Sequence, residues 1–384
     1  MAERLRGDEL VALIRRVFDP IEQDRTLAIL VDLPDSRVPD NGEWAARRAM
    51  AADWRSELQV HGAELGLRPA LVFFRNAHSN NGELPERCWL HAGGKLPQRA
   101  EELDPAAAIA FADLFATHAL LLAPTEFSAT APLKMAAKQY GFRAATMGGF
   151  CAGMIPALRL DYAEVNRRVA YLKECLDQAT GAKFRFAYPG GEASLFLDLR
   201  FRRAHASGGL LPKRGTAGNL PSGEAYIVPF EGESEESRSA GELPVQFGAE
   251  VVRYRIEGNR AVEILTAGPA SRAEAEHLRR EPAYGNVAEL GLGVLAQFGV
   301  KPVGEILLDE KLGLHIAFGR SEHFGGQVGP DDFSSSDAVI HIDRVYLPET
   351  QPDVVARSVD LSLDDGSALA LMRDGRYVVD FARK

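Results

Sequence analysis

Cysteine is scarce in this chain. Cys88, Cys151 and Cys175 are the only three in 384 residues, and they lie far apart. An odd, scattered set offers neither a disulfide framework nor thiolates at metal-binding spacing. A reducing, cytoplasmic setting is the expectation. Long apolar runs are absent as well: no stretch approaches the ~20 residues that span a bilayer, so no membrane partner is expected. The first residues lack the unbroken apolar core and small-residue cleavage site of a signal peptide. Positive charge is short too, with 44 Lys and Arg against 54 Asp and Glu, a net charge of −10. Nucleic-acid partners call for a basic footprint, so none is expected. No G-x-G-x-x-G follows the first predicted strand, and no G-x-x-x-x-G-K-[ST] occurs. Dinucleotide and nucleoside-triphosphate signatures are therefore missing. The G-x-S-x-G of a serine hydrolase is missing too.

What is present is a soluble-protein balance, 46% hydrophobic and 26% charged. A chain this long exceeds one ordinary core, which predicts two domains. The expected fold is an α/β N-terminal domain with an open sheet over residues 1–185, then an α+β, strand-rich, metal-binding domain over 186–384. In the first half, Leu10, Leu13, Ile14 and Val17 share one face of a predicted helix. Leu27 to Val31 reads as a buried strand, and a long helix is predicted from about Glu43 to Leu65. ALVFFR, ALLLAP and FRAATM are further strands, alternating with helices. Asp161 is placed to cap the helix that follows, and Gly181 reads as lying past its end.

The second half reads differently. KFRFAY opens a strand-rich region, and VVRYRIEGNRAVEIL predicts a hairpin across Gly258-Asn259. The acidic stretch from Phe230 to Pro244 reads as a mobile surface excursion. Residues 286–346 hold three of the nine histidines. In AVIHIDRVY, a predicted strand, His341 and Asp343 are two apart and so project from one face. An imidazole beside a carboxylate suits zinc, manganese, cobalt or ferrous iron. His315, in the strand-like GLHIAFG, is a second anchor. Glu289 opens ELGLG, read as the end of a helix or a turn, with ELGLGVLAQF as a possible helix start. Glu224 follows a Pro-Ser-Gly turn that fixes the backbone ahead of it.

Taken in order, these segments resemble the thermophilic metalloaminopeptidases of the aminopeptidase T group. The resemblance rests on Asn219-Leu220-Pro221-Ser222-Gly223-Glu224, Glu289-Leu290-Gly291-Leu292-Gly293, Asp309-Glu310-Lys311, His315-Ile316-Ala317-Phe318-Gly319 and His341-Ile342-Asp343. It extends more weakly to the run around Arg143 and Thr146. It implies a two-metal hydrolase, with Glu224, Glu289, His315, His341 and Asp343 as ligands and a homodimer as the assembly. The chain departs from the family at three places, one being a spacing to the double glycine that is one residue short. The family's tyrosine, seven residues after the first ligand histidine, falls on Glu322. Its usual threonine, two residues before that histidine, falls on Gly313.

Two functional readings stay open. In the first, two zinc, cobalt or manganese ions cleave the amide of a small molecule or short peptide. Glu322 or Glu310 would then move the proton, and His323 would stabilise the oxyanion. In the second, His315, His341 and Asp343 form a two-histidine, one-carboxylate set for a single Fe(II). That is the chemistry of a ring-cleaving oxygenase, and the same broad fold family includes a 2,5-dihydroxypyridine dioxygenase.

Overall fold

The computed structural model describes residues 3–382. Contacts divide it into two compact units. One comprises Met1–Asn166, Gly209–Ser222 and Val303–Leu308; the other comprises Arg167–Gly208, Gly223–Pro302 and Asp309–Lys384.

The first unit is built on a seven-stranded sheet. In spatial order its strands are Thr216–Asn219, Arg143–Gly148, Leu120–Thr125, Thr26–Leu33, Arg68–Arg75, Arg87–Leu90 and Ile109–Ala110. The first five run parallel and the last two antiparallel. Parallel strands are covered on both faces, which is why these read as unbroken apolar runs. All of Leu27 to Val31 is buried. Helix Gly7–Phe18 buries Leu10, Leu13, Ile14 and Val17, as its periodicity predicts. The long helix runs Gly42–His61 and tightens into a 3-10 turn over Gly62–Leu65. Thr216–Asn219, far away in sequence, completes the sheet edge. There the Thr130 and Thr146 hydroxyls lie 2.8 and 2.9 Å from Asn219 Oδ1. The asparagine that opens the N-x-P-x-G-E segment is thus a fastener of the sheet.

The second unit holds two antiparallel sheets. The larger runs, in spatial order, Arg260–Ile264, Glu250–Glu257, Ala240–Phe247, Gly191–Asp198, Ala179–Tyr188, Val355–Leu363, Ala368–Arg373 and Arg376–Tyr377. The smaller runs His341–Val345, Leu314–Gly319, Val287–Gly293, Glu224–Ile227 and His205–Ser207. The hairpin at Gly258-Asn259 forms, with both residues at positive φ (56° and 70°). Leu195, Leu197 and Leu199 are buried, in keeping with their alternation. Tyr254 packs on Phe318 with ring centroids 5.0 Å apart, joining the larger sheet to the smaller.

Three local expectations are corrected. Asp161 does cap its helix, accepting from Ala163 N at 3.0 Å, but Gly181 lies inside strand Ala179–Tyr188. A Cβ there would sit 2.4 Å from the Phe196 ring, so the glycine reflects close packing rather than a helix stop. ELGLG is neither a turn nor a helix start: Val287–Gly293 is a wholly buried strand, and only Leu295–Phe298 turns as a 3-10 helix. The acidic stretch is tied down by distant arginines. Glu231 and Glu233 pair with Arg202, Glu235 pairs with Arg200, and from Ala240 the chain is a strand.

Candidate metal centre

The five-stranded sheet gathers the acids and imidazoles that lie apart in sequence. His315 stands opposite Gly291 and Val345, Ala317 opposite Glu289 and Asp343, and Gly319 opposite His341. Glu224 stands opposite Gly293. Residues two apart or directly opposite share a face. Glu224, Glu289, His315, His341 and Asp343 therefore all project from the same side of one sheet.

Small residues make room for them. A Cβ on Gly291 would sit 1.8 Å from His315 Nε2, so the imidazole lies across the glycine on the neighbouring strand. A Cβ on Gly293 would meet the Lys311 backbone at 2.2 Å. Both glycines of E-x-G-x-G are clearances in a strand.

The side chains form two clusters that share one residue. Glu224, Glu289 and His315 make the first; Glu289, His341 and Asp343 make the second. His315 Nε2 is 3.2 Å from Glu289 Oε1 and 3.5 Å from Glu224 Oε2. His341 Nε2 is 3.4 Å from Glu289 Oε2 and 3.6 Å from Asp343 Oδ1. On each ring Nδ1 faces a backbone carbonyl, Gly313 at 3.3 Å and Arg320 at 2.8 Å. Donating Nδ1–H there fixes each ring and leaves Nε2 to the cluster, the arrangement typical of metal-ligating histidines.

Charge is concentrated at this centre. Burial raises the Glu289 carboxyl, but hydrogen bonds from His315 and His341 overcome it and hold the group at about 2. Asp343 is likewise held below the usual range, burial being outweighed by His341. Burial lowers His315, yet Glu289, Asp343 and Glu224 lift it to about 9. His341 is raised well above its ordinary value, burial again being outweighed, chiefly by Asp343. Glu224 Oε2 and Asp343 Oδ1 are buried without a hydrogen-bond partner. Buried polar atoms rarely go unpaired. One orphaned carboxylate oxygen in each cluster, beside an inward Nε2, fits a divalent cation at either place.

The three proposed proton-handling residues fare differently. Glu310 is at the centre, with 16% of its side chain exposed, in an ion pair with Lys311. Burial raises it, Lys311 pulls it back, and Glu224 and Asp343 push it up again, to about 8. His323 lies beside the centre, its ring centroid 5.4 Å from that of His341. Glu322 is half-exposed and engaged by Arg320 at 2.7 Å.

Two residues of the centre have no role in the sequence reading: Lys311 stands there only as part of a motif, and Tyr226 is not singled out. Lys311 is fully buried, and its Nζ is 2.5 Å from Glu224 Oε1. Burial lowers its pKa, but Glu224 and Glu310 more than reverse this and keep it charged. Tyr226 shares the Glu224 face, stacks on His205 at 5.2 Å and meets Phe324 edge-on at 4.9 Å. Burial and the nearby Glu289 and Glu224 carboxylates raise its phenol. Its signal was present: two residues after Glu224 in a strand is the same face.

No family model matches the chain. One curated relative, aminopeptidase T of Thermus aquaticus, is 27% identical over 173 residues, which are 42% of this chain and 40% of that protein. Two solved structures share the fold across nearly the whole length. The 2,5-dihydroxypyridine dioxygenase of Pseudomonas putida KT2440 has a TM-score of 0.61 at 14% identity, covering 97% of each chain. Wild-type AmpT of Thermus thermophilus has a TM-score of 0.54 at 17% identity, covering 97% of this chain and 98% of its own. The chain is thus weakly similar in sequence to aminopeptidase T over less than half of its length, and it shares its fold with AmpT and with a dioxygenase. Among the described residues no helix is long and apolar enough to cross a membrane.

Proposed function

We propose that this chain is a metal-dependent hydrolase of the aminopeptidase kind, acting on the amide bond of a short peptide or similar small molecule. One observation carries the reading: two clusters share Glu289, and each has its own inward imidazole and orphaned carboxylate oxygen. A single-metal site at His315, His341 and Asp343 would leave Glu224 Oε2 without a partner. Glu224, Glu289 and His315 would hold one cation, and Glu289, His341 and Asp343 the other. Bound zinc, cobalt or manganese would polarise the carbonyl and acidify a water.

The remaining chemistry belongs to the chain. Glu289 joins the two clusters and keeps them in register. Glu310 receives the proton from the water and delivers it to the departing amine nitrogen. It suits this role by its place: it pairs with Lys311 beside Glu224 and is not one of the five ligand residues. Lys311 anchors both Glu310 and Glu224. His323, exposed beside His341, would donate a hydrogen bond to the developing oxyanion. A homodimer is proposed as the assembly and the cytoplasm as the location.

The fold shared with the dioxygenase supports a second reading. His315, His341 and Asp343 would then hold one ferrous ion. The two are separated by metal-free protein reloaded with zinc, cobalt, manganese or ferrous iron. Each form is assayed on aminoacyl-p-nitroanilides and, by oxygen uptake, on 2,5-dihydroxypyridine. Amide cleavage with zinc, cobalt or manganese and no oxygen uptake is expected. Oxygen uptake with iron, and no cleavage with any metal, would overturn the hydrolase.

A further inference from the structure

The two halves of the centre differ in what surrounds them. The Nζ of Lys311, itself fully buried, sits 2.5 Å from Glu224 Oε1. Only Glu224 Oε2 is left facing His315, and that atom is orphaned. Among the described residues no ammonium pairs with the carboxylates of the other cluster, where Asp343 and Glu289 meet His315 and His341 and Lys311 acts on Asp343 only from a distance. The His315 side chain is fully buried, whereas 19% of that of His341 is exposed.

We infer that Lys311 makes the two half-sites unequal, so that a divalent cation enters Glu289–His341–Asp343 first and tightly, and Glu224–Glu289–His315 second and weakly. This rests on the two-cation reading above. A fixed ammonium in a low-dielectric interior acts on a dication in two ways. It repels the ion directly, and it takes one oxygen of the carboxylate that would bind it. Like-charge repulsion weakens with distance, so the half-site that Lys311 touches bears most of it. The Glu289–His341–Asp343 half-site, partly exposed at His341, also needs less desolvation to fill. Lys311 is thereby a positioning residue: it holds Glu224 to a single free oxygen and sets the second cation's affinity. The weak half-site becomes the exchangeable one, emptied first at low metal concentration.

The test is a calorimetric titration of the metal-free, full-length chain with Co²⁺. It compares wild type with Lys311→Met, His315→Ala and His341→Ala. Wild type is expected to bind in two steps at least tenfold apart. Lys311→Met should tighten the second step at least tenfold and leave the first within about threefold. His315→Ala should lose the second step alone, and His341→Ala the first. Two equal steps in wild type would overturn the inference, as would an unchanged second step in folded Lys311→Met. Should Lys311→Met fail to fold, the histidine variants decide: loss of the tight step in His315→Ala sinks it. One equivalent in wild type, lost in His341→Ala but kept in His315→Ala, would support the ordering and overturn the two-cation hydrolase. One equivalent lost in both variants would overturn both.

Discussion

At the scale of single residues, the centre depends as much on what is missing as on what is there. Gly291 carries no ligand, yet His315 lies where its Cβ would be. Gly291→Ala should push the imidazole off Nε2-inward geometry while leaving every ligand in the sequence. The expected result is a loss of at least tenfold in cation affinity. A destabilisation of ~1–3 kcal/mol should accompany it, the usual cost of overpacking. Metal content after dialysis and the urea midpoint report the two effects separately. Wild-type affinity with an unstrained midpoint would refute the clearance role. His315 supports a second prediction. Its imidazole is lifted to about 9 by its carboxylate neighbours, so at neutral pH a proton already occupies the nitrogen that a metal needs. Cation and proton compete there. Zinc affinity should therefore rise with pH up to about 9. Binding should release protons at pH 7, measurable by calorimetry in buffers of differing ionisation enthalpy. A pH-independent affinity would mean that His315 is no ligand.

Elements explain which parts of the centre could be read in advance. His341 and Asp343 were legible because a strand repeats every two residues, and both lie on one strand. Glu289 was assigned as a ligand but to the wrong element, since Gly291 and Gly293 look like turn residues. Their reason is a ring and a backbone on neighbouring chain segments, which no local pattern shows. Lys311 stands in a quoted motif, but its buried role is not legible because lysine is ordinarily solvated; its partner Glu224 is 87 positions away. The acidic stretch misled for the same reason, its arginine partners being remote in sequence. Strand ends carry their own chemistry. Asp32, near the end of strand Thr26–Leu33, accepts from Glu126 N at 2.8 Å and from Trp44 Nε1 at 3.0 Å. Burial raises it from 3.8 to about 6 despite these bonds. The folded chain therefore keeps a proton that the unfolded chain has lost between those values. Stability from this group is full below about 4 and falls as pH rises through about 6, by ~3 kcal/mol at most. Asp32→Asn removes the titration. The wild-type-minus-variant difference in urea stability should thus decline from pH 4 to pH 6.5, and a flat difference would contradict the assignment.

For the whole molecule, the fold narrows function without deciding it. The same architecture, matched over 97% of this chain, is shared by AmpT and by a dioxygenase, as expected when chemistry resides in a grafted site. The decision falls to four carboxylates, Glu224, Glu289, Glu310 and Asp343, packed around Lys311 and two imidazoles. Without metal, those acids rely on Lys311 and on imidazolium for compensation. Bound cations take over that task in the native state alone, because unfolding scatters ligands drawn from four strands and from sites as far apart as residues 224 and 343. Metal should therefore stabilise the chain by mass action, by ~4 kcal/mol at a thousandfold excess over Kd. Chelator treatment should lower the melting temperature by several degrees, and zinc should restore it. Magnesium should not, since it prefers oxygen ligands and keeps its waters. The restoration should be halved or worse in Glu289→Ala, which strips a ligand from both clusters, and only partly lost in Glu224→Ala. Equal losses in the two variants would mean that Glu289 does not link two sites, and the two-cation model would give way to the single-iron one.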